Sequence, residues 1–153
     1  MINADITKIK TPCYILDEQK LISNLEILHG VEERTGCKIL LAQKAFSMFS
    51  VYPLISKYVS GTACGGLYEA KLGLECMGKE NHVFSAAYRD DEIDEIIDCC
   101  SHIIFNSFSQ LDKFRDKVLS KGKKIGLRIN PEYSTQLGHE IYDPCSPKSR
   151  LGI

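Results

Sequence analysis

Short apolar runs of strand length recur along this chain at a spacing of about 22 residues. The runs start at positions 38, 60, 82, 102 and 124, which lie 22, 22, 20 and 22 residues apart. The segments between them carry apolar residues at helical spacing, as at Leu67, Ala70 and Leu74. This alternation predicts parallel strands joined by helices, because parallel neighbours need a crossover connection and a helix is the usual one.

The predicted strands are 38–42, 60–63, 82–85, 102–105 and 124–129. A further short strand is predicted at 13–16, followed by an amphipathic helix from Asp17 to about Glu33. The region 130–149 holds three of the five prolines and has no helical period, which predicts a long loop. Loops of this length are usually functional or disordered.

Two parallel architectures and one repeat fold compete for this pattern. A doubly wound sheet needs a glycine fingerprint after an early strand, and the chain contains neither G-x-G-x-x-G nor a P-loop sequence. A leucine-rich repeat has a similar period, but its L-x-x-L-x-L signature is missing. The pattern therefore favours a (β/α)8 barrel, whose functional groups lie at the C-terminal ends of its strands.

Charge and hydropathy exclude several kinds of partner. The chain has 19 basic and 20 acidic side chains, with a formal charge of −1. It therefore lacks the basic patch that nucleic acid or an anionic membrane surface would need, and we expect neither partner. No apolar run approaches the ~20 residues of a membrane-spanning helix, and residues 1–5 do not resemble the start of a signal peptide. A cytoplasmic location is expected.

Cysteine and histidine positions argue against disulfides and metal. The seven cysteines form an odd set without C-x-x-C, which predicts free thiols, several of them buried, in a reducing compartment. The four histidines are separated along the sequence, and zinc sites usually have ligands at short spacing. No metal site is expected.

Lys44 follows the apolar strand at 38–42 and would lie at the mouth of a barrel. In apolar surroundings the charged form of a lysine is disfavoured, and the neutral amine can form a Schiff base with an aldehyde. The alternative is a lysine that extends into solvent from the end of a strand.

Arg128 and Glu69 are the other candidate residues. Arg128 lies in the last apolar run; pointing into the barrel it would hold a phenolate, phosphate or carboxylate, and pointing outward it would pair with a helix carboxylate. Glu69 follows Gly65 and Gly66 at a predicted helix start. Its carboxylate could interact with the helix dipole or contact a ligand, and such a helix start can receive an anion.

With these residues located, the chain resembles the fold type III pyridoxal-phosphate (PLP) decarboxylases. This family contains ornithine, diaminopimelate and carboxynorspermidine decarboxylases, and the carboxynorspermidine branch is the most similar. The resemblance rests on successive segments in order along the chain: TPCYILD at 11–17, LAQKAF at 41–46, LYEAK at 67–71, FNS at 105–107, GLRIN at 126–130, YDPC at 142–145 and SRLG at 149–152.

The resemblance implies a reaction and its residues. Lys44 would be the Schiff-base lysine for PLP, Arg128 would lie near the phenolic oxygen of the cofactor, and Glu69 would be a further cofactor contact. The substrate would be carboxynorspermidine or carboxyspermidine, decarboxylated to norspermidine or spermidine in polyamine biosynthesis. Glu140 and Asp143 are candidates for binding the amino groups of the substrate.

The resemblance also implies that residues 1–153 are the N-terminal portion of an alanine racemase-like PLP barrel, with the loop 130–149 inside it. A complete barrel takes about 250 residues, so the C-terminal barrel strands and a β domain would lie outside this chain. Decarboxylases of this type are usually homodimers, and we expect the same of the complete protein. Two alternatives stay open: a non-catalytic PLP-binding protein of the same fold, or an inactive fragment that acts only by assembly.

Overall fold

The computed structural model describes residues 5–135 and 142–153. In these residues, five short strands alternate with helices. The strands are β1 (Leu40–Ala42), β2 (Gly61–Cys64), β3 (Glu80–Phe84), β4 (His102–Phe105) and β5 (Lys124–Leu127). The α-helices are α1 (Glu18–Thr35), α2 (Tyr52–Ile55), α3 (Leu67–Cys76), α4 (Ile93–Cys99) and α5 (Phe108–Ser120), and single 3-10 turns lie at Ile6–Lys8 and Phe49–Val51.

The five strands form one parallel sheet in the order β1-β2-β3-β4-β5. Each new strand is added beside the previous one, as a barrel requires, whereas a doubly wound sheet reverses its direction of growth at a switch point. In the register, Gly61 pairs with Glu80, and His82 pairs with His102. The prediction of a parallel α/β fold is confirmed, and the sheet is consistent with part of a (β/α)8 barrel.

Helix α1 begins and ends with local sequence signals. The Asp17 side chain accepts a hydrogen bond from the backbone N–H of Lys20 at 3.2 Å, which satisfies one of the free donors of the first turn. Gly36, with φ of 70°, closes the helix in the left-handed region that glycine enters without steric cost. The helix predicted from Asp17 is confirmed, and it runs two residues beyond the predicted end.

One face of the sheet packs against the helices. Val83, Ile103 and Phe105 are fully buried there against residues of α4 and α5, including Ile97 and Phe114. Because side chains alternate along a strand, the intervening residues lie on the other side of the sheet. We call this side the open face; on β3 and β4 it carries Glu80, His82, Phe84, His102 and Ile104.

Two expectations about local structure are wrong. The segment 13–16 is not a strand, and the Tyr14 side chain is 96% exposed, because no strand in the described residues lies alongside to complete its hydrogen bonds. The last strand ends at Leu127 rather than at 129. Beyond it the Ile153 N–H donates to the Arg128 carbonyl at 3.1 Å, so the end of the chain lies beside this segment.

The described parts of the loop 130–149 contain no strand or α-helix, as expected. All seven cysteines are free. Cys64 and Cys100 are buried, as predicted for several of the thiols, whereas Cys13, which precedes the apolar residues Tyr14 and Ile15, is exposed and Cys99 is half-buried. Across the ranges that the structure describes, no helix has the length and apolar character needed to cross a membrane.

The expectation that the histidines lie apart is wrong for two of them. The His82 and His102 rings stack with their centroids 3.7 Å apart, because the register of β3 and β4 places the two residues side by side. Separation along the sequence says nothing about neighbours across a sheet.

Candidate functional site

Lys44 and Arg128 lie at the same edge of the sheet. Lys44 comes two residues after β1 in a turn and is exposed to solvent, and Arg128 directly follows β5. Because all the strands are parallel, both residues mark their C-terminal ends, where the active sites of barrels lie. They follow the two outermost strands of the described sheet and so stand at the two ends of this edge.

Arg128 lies on the open face of the sheet. The Cζ atom of its guanidinium is 4.6 Å from the centroid of the Phe84 ring, which belongs to that face, and the side chain is half-buried. This is a cation–π contact, which helps to position the guanidinium. Over residues 5–135 and 142–153, no carboxylate lies within ion-pair distance of Arg128, so its N–H donors are available to an anion. Pairing with a helix carboxylate, the outward alternative, is not observed.

Gln43, next to Lys44, is a buried anchor that the sequence analysis did not single out. Its side chain is 1% exposed, and Nε2 donates to the Glu69 carbonyl of α3 at 2.8 Å. The Tyr52 hydroxyl of α2 donates to Gln43 Oε1 at 3.3 Å, and burial raises the pKa of Tyr52, which keeps this donor protonated. The turn that carries Lys44 is therefore fixed to two helices. A polar residue inside an otherwise apolar run was the available signal.

Gln43 belongs to a buried polar layer between the sheet and α3. Thr62 Oγ1 donates to Asn81 Oδ1 at 2.8 Å, and Asn81 Nδ2 donates to the Ala70 carbonyl at 2.7 Å. Gly73 leaves the room for these groups: a Cβ atom there would lie 2.5 Å from Thr62 Oγ1 and 3.0 Å from Gln43 Nε2. Paired polar groups of this kind fix one arrangement of sheet and helix, because an unpaired alternative would be costly.

The Glu69 side chain stabilises the turn that precedes its own helix. Its Oε2 accepts a hydrogen bond from the Gly65 backbone N–H at 2.7 Å. A carboxylate in the first turn also interacts favourably with the positive end of the helix dipole. This geometry agrees with the first of the two roles expected for Glu69, and contact with a ligand stays a prediction.

The C-terminal segment, residues 142–153, lines a cavity of about 570 Å³ with side chains that include Tyr142, Asp143 and Arg150. Asn106, directly after β4, ties this segment to the sheet: its Nδ2 donates to the Arg150 carbonyl at 2.9 Å, and its Oδ1 accepts from the Gly152 N–H at 2.7 Å. The Asp143 carboxylate accepts from the Cys145 N–H at 2.9 Å. Glu140, the other expected substrate contact, lies outside the described residues.

Replacing Gln43 with methionine tests whether the anchor is needed. The change removes both side-chain hydrogen bonds at nearly constant volume and leaves the Glu69 carbonyl without this partner. We expect a loss of about 1–3 kcal/mol in the free energy of unfolding, measured in urea. Gln19→Met, on the exposed surface of α1, is the control and should change it by less than about 0.5 kcal/mol. Equal effects of the two changes would contradict the anchoring role.

Comparison with known proteins gives a consistent result. The carboxynorspermidine/carboxyspermidine decarboxylase of Campylobacter jejuni is 45% identical over 146 residues, which cover 95% of this chain and 37% of that protein. The protein of the same name from Herminiimonas arsenicoxydans is 44% identical over 94% of this chain and 39% of its own length. A carboxyaminopropylagmatine decarboxylase from Synechocystis is 37% identical over 99% of this chain and 39% of its own length. No model of a known protein family matches the chain.

Solved structures agree with these sequence matches. The crystal structure of Campylobacter jejuni carboxynorspermidine decarboxylase complexed with norspermidine superimposes with a TM-score of 0.82 at 42% identity, over 95% of this chain and 36% of that one. Diaminopimelate decarboxylase from Helicobacter pylori, with a TM-score of 0.77 and 24% identity over 96% of this chain and 38% of its own, shows the shared fold alone. The chain spans little more than a third of the length of the relatives it matches, and over that span its resemblance to the carboxynorspermidine decarboxylases is confirmed.

Proposed function

We propose that this chain supplies the lysine-bearing part of a PLP-dependent decarboxylase that converts carboxynorspermidine or carboxyspermidine to the corresponding triamine. The observation that carries the proposal is the placement of Lys44: an exposed amine on an anchored turn at the C-terminal edge of a parallel sheet, with Arg128 across the same edge. The identity of 45% to a decarboxylase of that name supports it. The remaining part of the site would come from a further segment of the enzyme.

The residues at this edge fit PLP at two of its groups. In the described residues no carboxylate pairs with the Lys44 amine, so that amine is available to the cofactor aldehyde. The Arg128 guanidinium, positioned over the Phe84 ring, presents donors suited to a phenolate oxygen. When bound, PLP takes up the electron pair that the departing carboxylate leaves on the α-carbon.

The chain's own residues then have separate tasks. Lys44 Nζ would hold the cofactor through its aldehyde carbon. Gln43 keeps the turn of Lys44 in position through the Glu69 carbonyl. The positive charge of Arg128 would attract the negatively charged phenolate oxygen of PLP to its side of the site. The walls of the cavity near Asn106 and Arg150 would limit the access of water to the reacting carbon.

The substrate class follows from charge. Carboxynorspermidine and carboxyspermidine carry several amino groups that are cationic at neutral pH, and a carboxylate at the cavity would bind one of them. We assign this role to Asp143, which lines the cavity. Glu140, which lies outside the described residues, is the second candidate for binding a substrate amino group. We further propose that the complete enzyme is a cytoplasmic homodimer that binds neither nucleic acid nor membranes, in keeping with its free cysteines and balanced charge.

Reconstitution tests the proposal. The chain is mixed with the part of the Campylobacter jejuni relative that lies outside the matched region, together with PLP and carboxynorspermidine. We expect a visible absorbance band from the cofactor–lysine adduct, release of carbon dioxide and formation of norspermidine. An adduct without carbon dioxide would instead indicate a non-catalytic PLP carrier. The absence of both adduct and product would indicate a fragment that acts only by assembly. Either of these two outcomes would overturn the proposal.

A further inference from the structure

Three metal-ligating side chains meet on the open face at the N-terminal ends of the strands. One oxygen of Glu80 and one ring nitrogen each of His82 and His102 all lie within 4.8 Å of one another. The side chains of Glu80 and His82 are 27% and 22% exposed, so the cluster is partly shielded from water. This end of the sheet is opposite to the edge that carries Lys44 and Arg128.

The arrangement follows from sheet geometry. Glu80 and His82 are two residues apart on β3 and therefore point to the same face, and His102 is the register partner of His82 on β4. Glu80 Oε2 and His82 Nε2 are 3.1 Å apart. Two ligands of a tetrahedral zinc ion, each bound at about 2.1 Å, are about 3.4 Å apart. These two atoms thus have nearly the separation that a shared ion requires.

The hydrogen bonding around His102 leaves the other ring nitrogen free for a metal. The Ser101 hydroxyl donates to the Asn81 carbonyl at 3.2 Å, and Ser101 Oγ is 3.1 Å from His102 Nδ1. When the hydroxyl hydrogen stays on the carbonyl, Nδ1–H is the donor to Oγ and Nε2 carries the lone pair. A second hydrogen bond of this kind is how metal-binding histidines are usually oriented.

We propose that Glu80, His82 and His102 form a binding site for a divalent transition-metal ion such as Zn²⁺, with water as the fourth ligand. The mixed nitrogen and oxygen donor set suits zinc, cobalt or nickel, whereas Mg²⁺ and Ca²⁺ prefer oxygen alone. One imidazole ring turns out of the stack on binding, since an ion cannot lie in the planes of both rings while their centroids are 3.7 Å apart and their planes only 26° from parallel.

The contacts inside the cluster and its charged neighbours both bear on metal binding. The Lys38 ammonium bonds to Glu80 Oε1, and Glu80 Oε2 is paired with His82 Nε2, so a metal ion would take the place of the contact between Oε2 and Nε2. Lys38 and Lys124 reduce the affinity for a cation by repulsion, so the site is expected to be weaker than one without basic neighbours.

Titration of the purified chain with Co²⁺, and then displacement of Co²⁺ by Zn²⁺, tests the proposal. We expect one equivalent of Co²⁺ to bind with visible d–d bands and without the near-ultraviolet charge-transfer band that thiolate ligands give. That signature distinguishes the cluster from the free cysteines. His82→Ala, His102→Ala and Glu80→Gln should each weaken binding by at least about tenfold.

His29→Ala is the matched control, because this half-exposed histidine lies on α1 and outside the cluster. It should leave Co²⁺ binding unchanged, and circular dichroism checks that each variant is folded. Should a histidine variant fail to fold, Glu80→Gln alone decides, since it keeps the size of the side chain. No stoichiometric Co²⁺ binding, a thiolate band, or equal binding by the control and the cluster variants would overturn the proposal.

Discussion

Replacing Gly61 with alanine is expected to destabilise the sheet strongly. Gly61 begins β2 and is the register partner of Glu80 on β3. A Cβ atom at this position would overlap the Glu80 carbonyl oxygen and lie 2.7 Å from the carbonyl carbon. The obstacle is backbone that belongs to the β2–β3 pairing, so relief requires the two strands to separate.

We expect Gly61→Ala to lower the free energy of unfolding by about 3 kcal/mol or more, measured by urea denaturation. A loss of this size is a large part of the stability of an ordinary domain, about 5–15 kcal/mol. The variant should therefore show a lower unfolding midpoint or accumulate as insoluble protein.

Gly30→Ala is the matched control for this change. Gly30 lies inside α1, and a Cβ atom there would meet only the far end of the flexible Arg34 side chain, at 3.1 Å. Because alanine favours the helix over glycine, we expect this variant to gain up to about 1 kcal/mol. A Gly61→Ala variant as stable as the unaltered chain would contradict the close approach of β2 and β3.

Much of the fold was predictable because burial imposes a period on the sequence. The strand 102–105 was predicted to the residue, and α1 begins directly after the predicted Asp17. In both cases the signal is local: an apolar run bounded by polar residues, or an acidic N-cap before a helical stripe. The segment 13–16 carries a similar local signal but has no neighbouring strand in the described residues, and a strand needs a partner that local sequence does not reveal.

The candidate site was predictable only in part, because local sequence does not show which elements contact one another. Lys44 and Arg128 could be placed at strand ends from the strand pattern alone. The anchoring of Gln43 by Glu69 and Tyr52 depends on how α2 and α3 pack against β1, which no local pattern shows. The pairing of His82 with His102 depends on the register of β3 and β4. Contacts between elements thus had to come from the structure.

Side chains are held in different ways at the two ends of the strands. At the C-terminal edge, Lys44 is exposed and its turn is fixed by buried neighbours, so a nucleophile can face a ligand without loss of position. At the N-terminal ends, charged and imidazole side chains contact one another: Glu80 pairs with both Lys38 and His82. Changes at one end should leave the other intact, because Lys124 and Arg128 are four residue steps apart along β5, or about 13 Å. The cofactor and metal proposals can therefore be tested separately.

Replacing Lys44 with alanine is expected to abolish covalent attachment of PLP in the reconstituted protein. The amine is the group in this chain that we assign to the cofactor aldehyde, and no other residue at this edge of the sheet is assigned that role. After incubation with PLP and reduction with borohydride, the unaltered chain should gain the mass of one pyridoxyl phosphate group at Lys44. The alanine variant should gain none there, and decarboxylation should fall about a thousandfold or more, as when a catalytic nucleophile is removed.

Two further variants separate the chemistry of Lys44 from its charge and from general lysine reactivity. Lys44→Arg keeps the positive charge but not a primary amine, so it should lose the adduct as completely as alanine does. Lys57→Ala removes another exposed lysine and should leave both the adduct and the activity unchanged. Since Lys44 is exposed, none of these changes should alter the unfolding midpoint appreciably. A pyridoxyl adduct that persists in Lys44→Ala at one equivalent, with activity retained, would place the cofactor on a different residue and remove the basis of the proposed function.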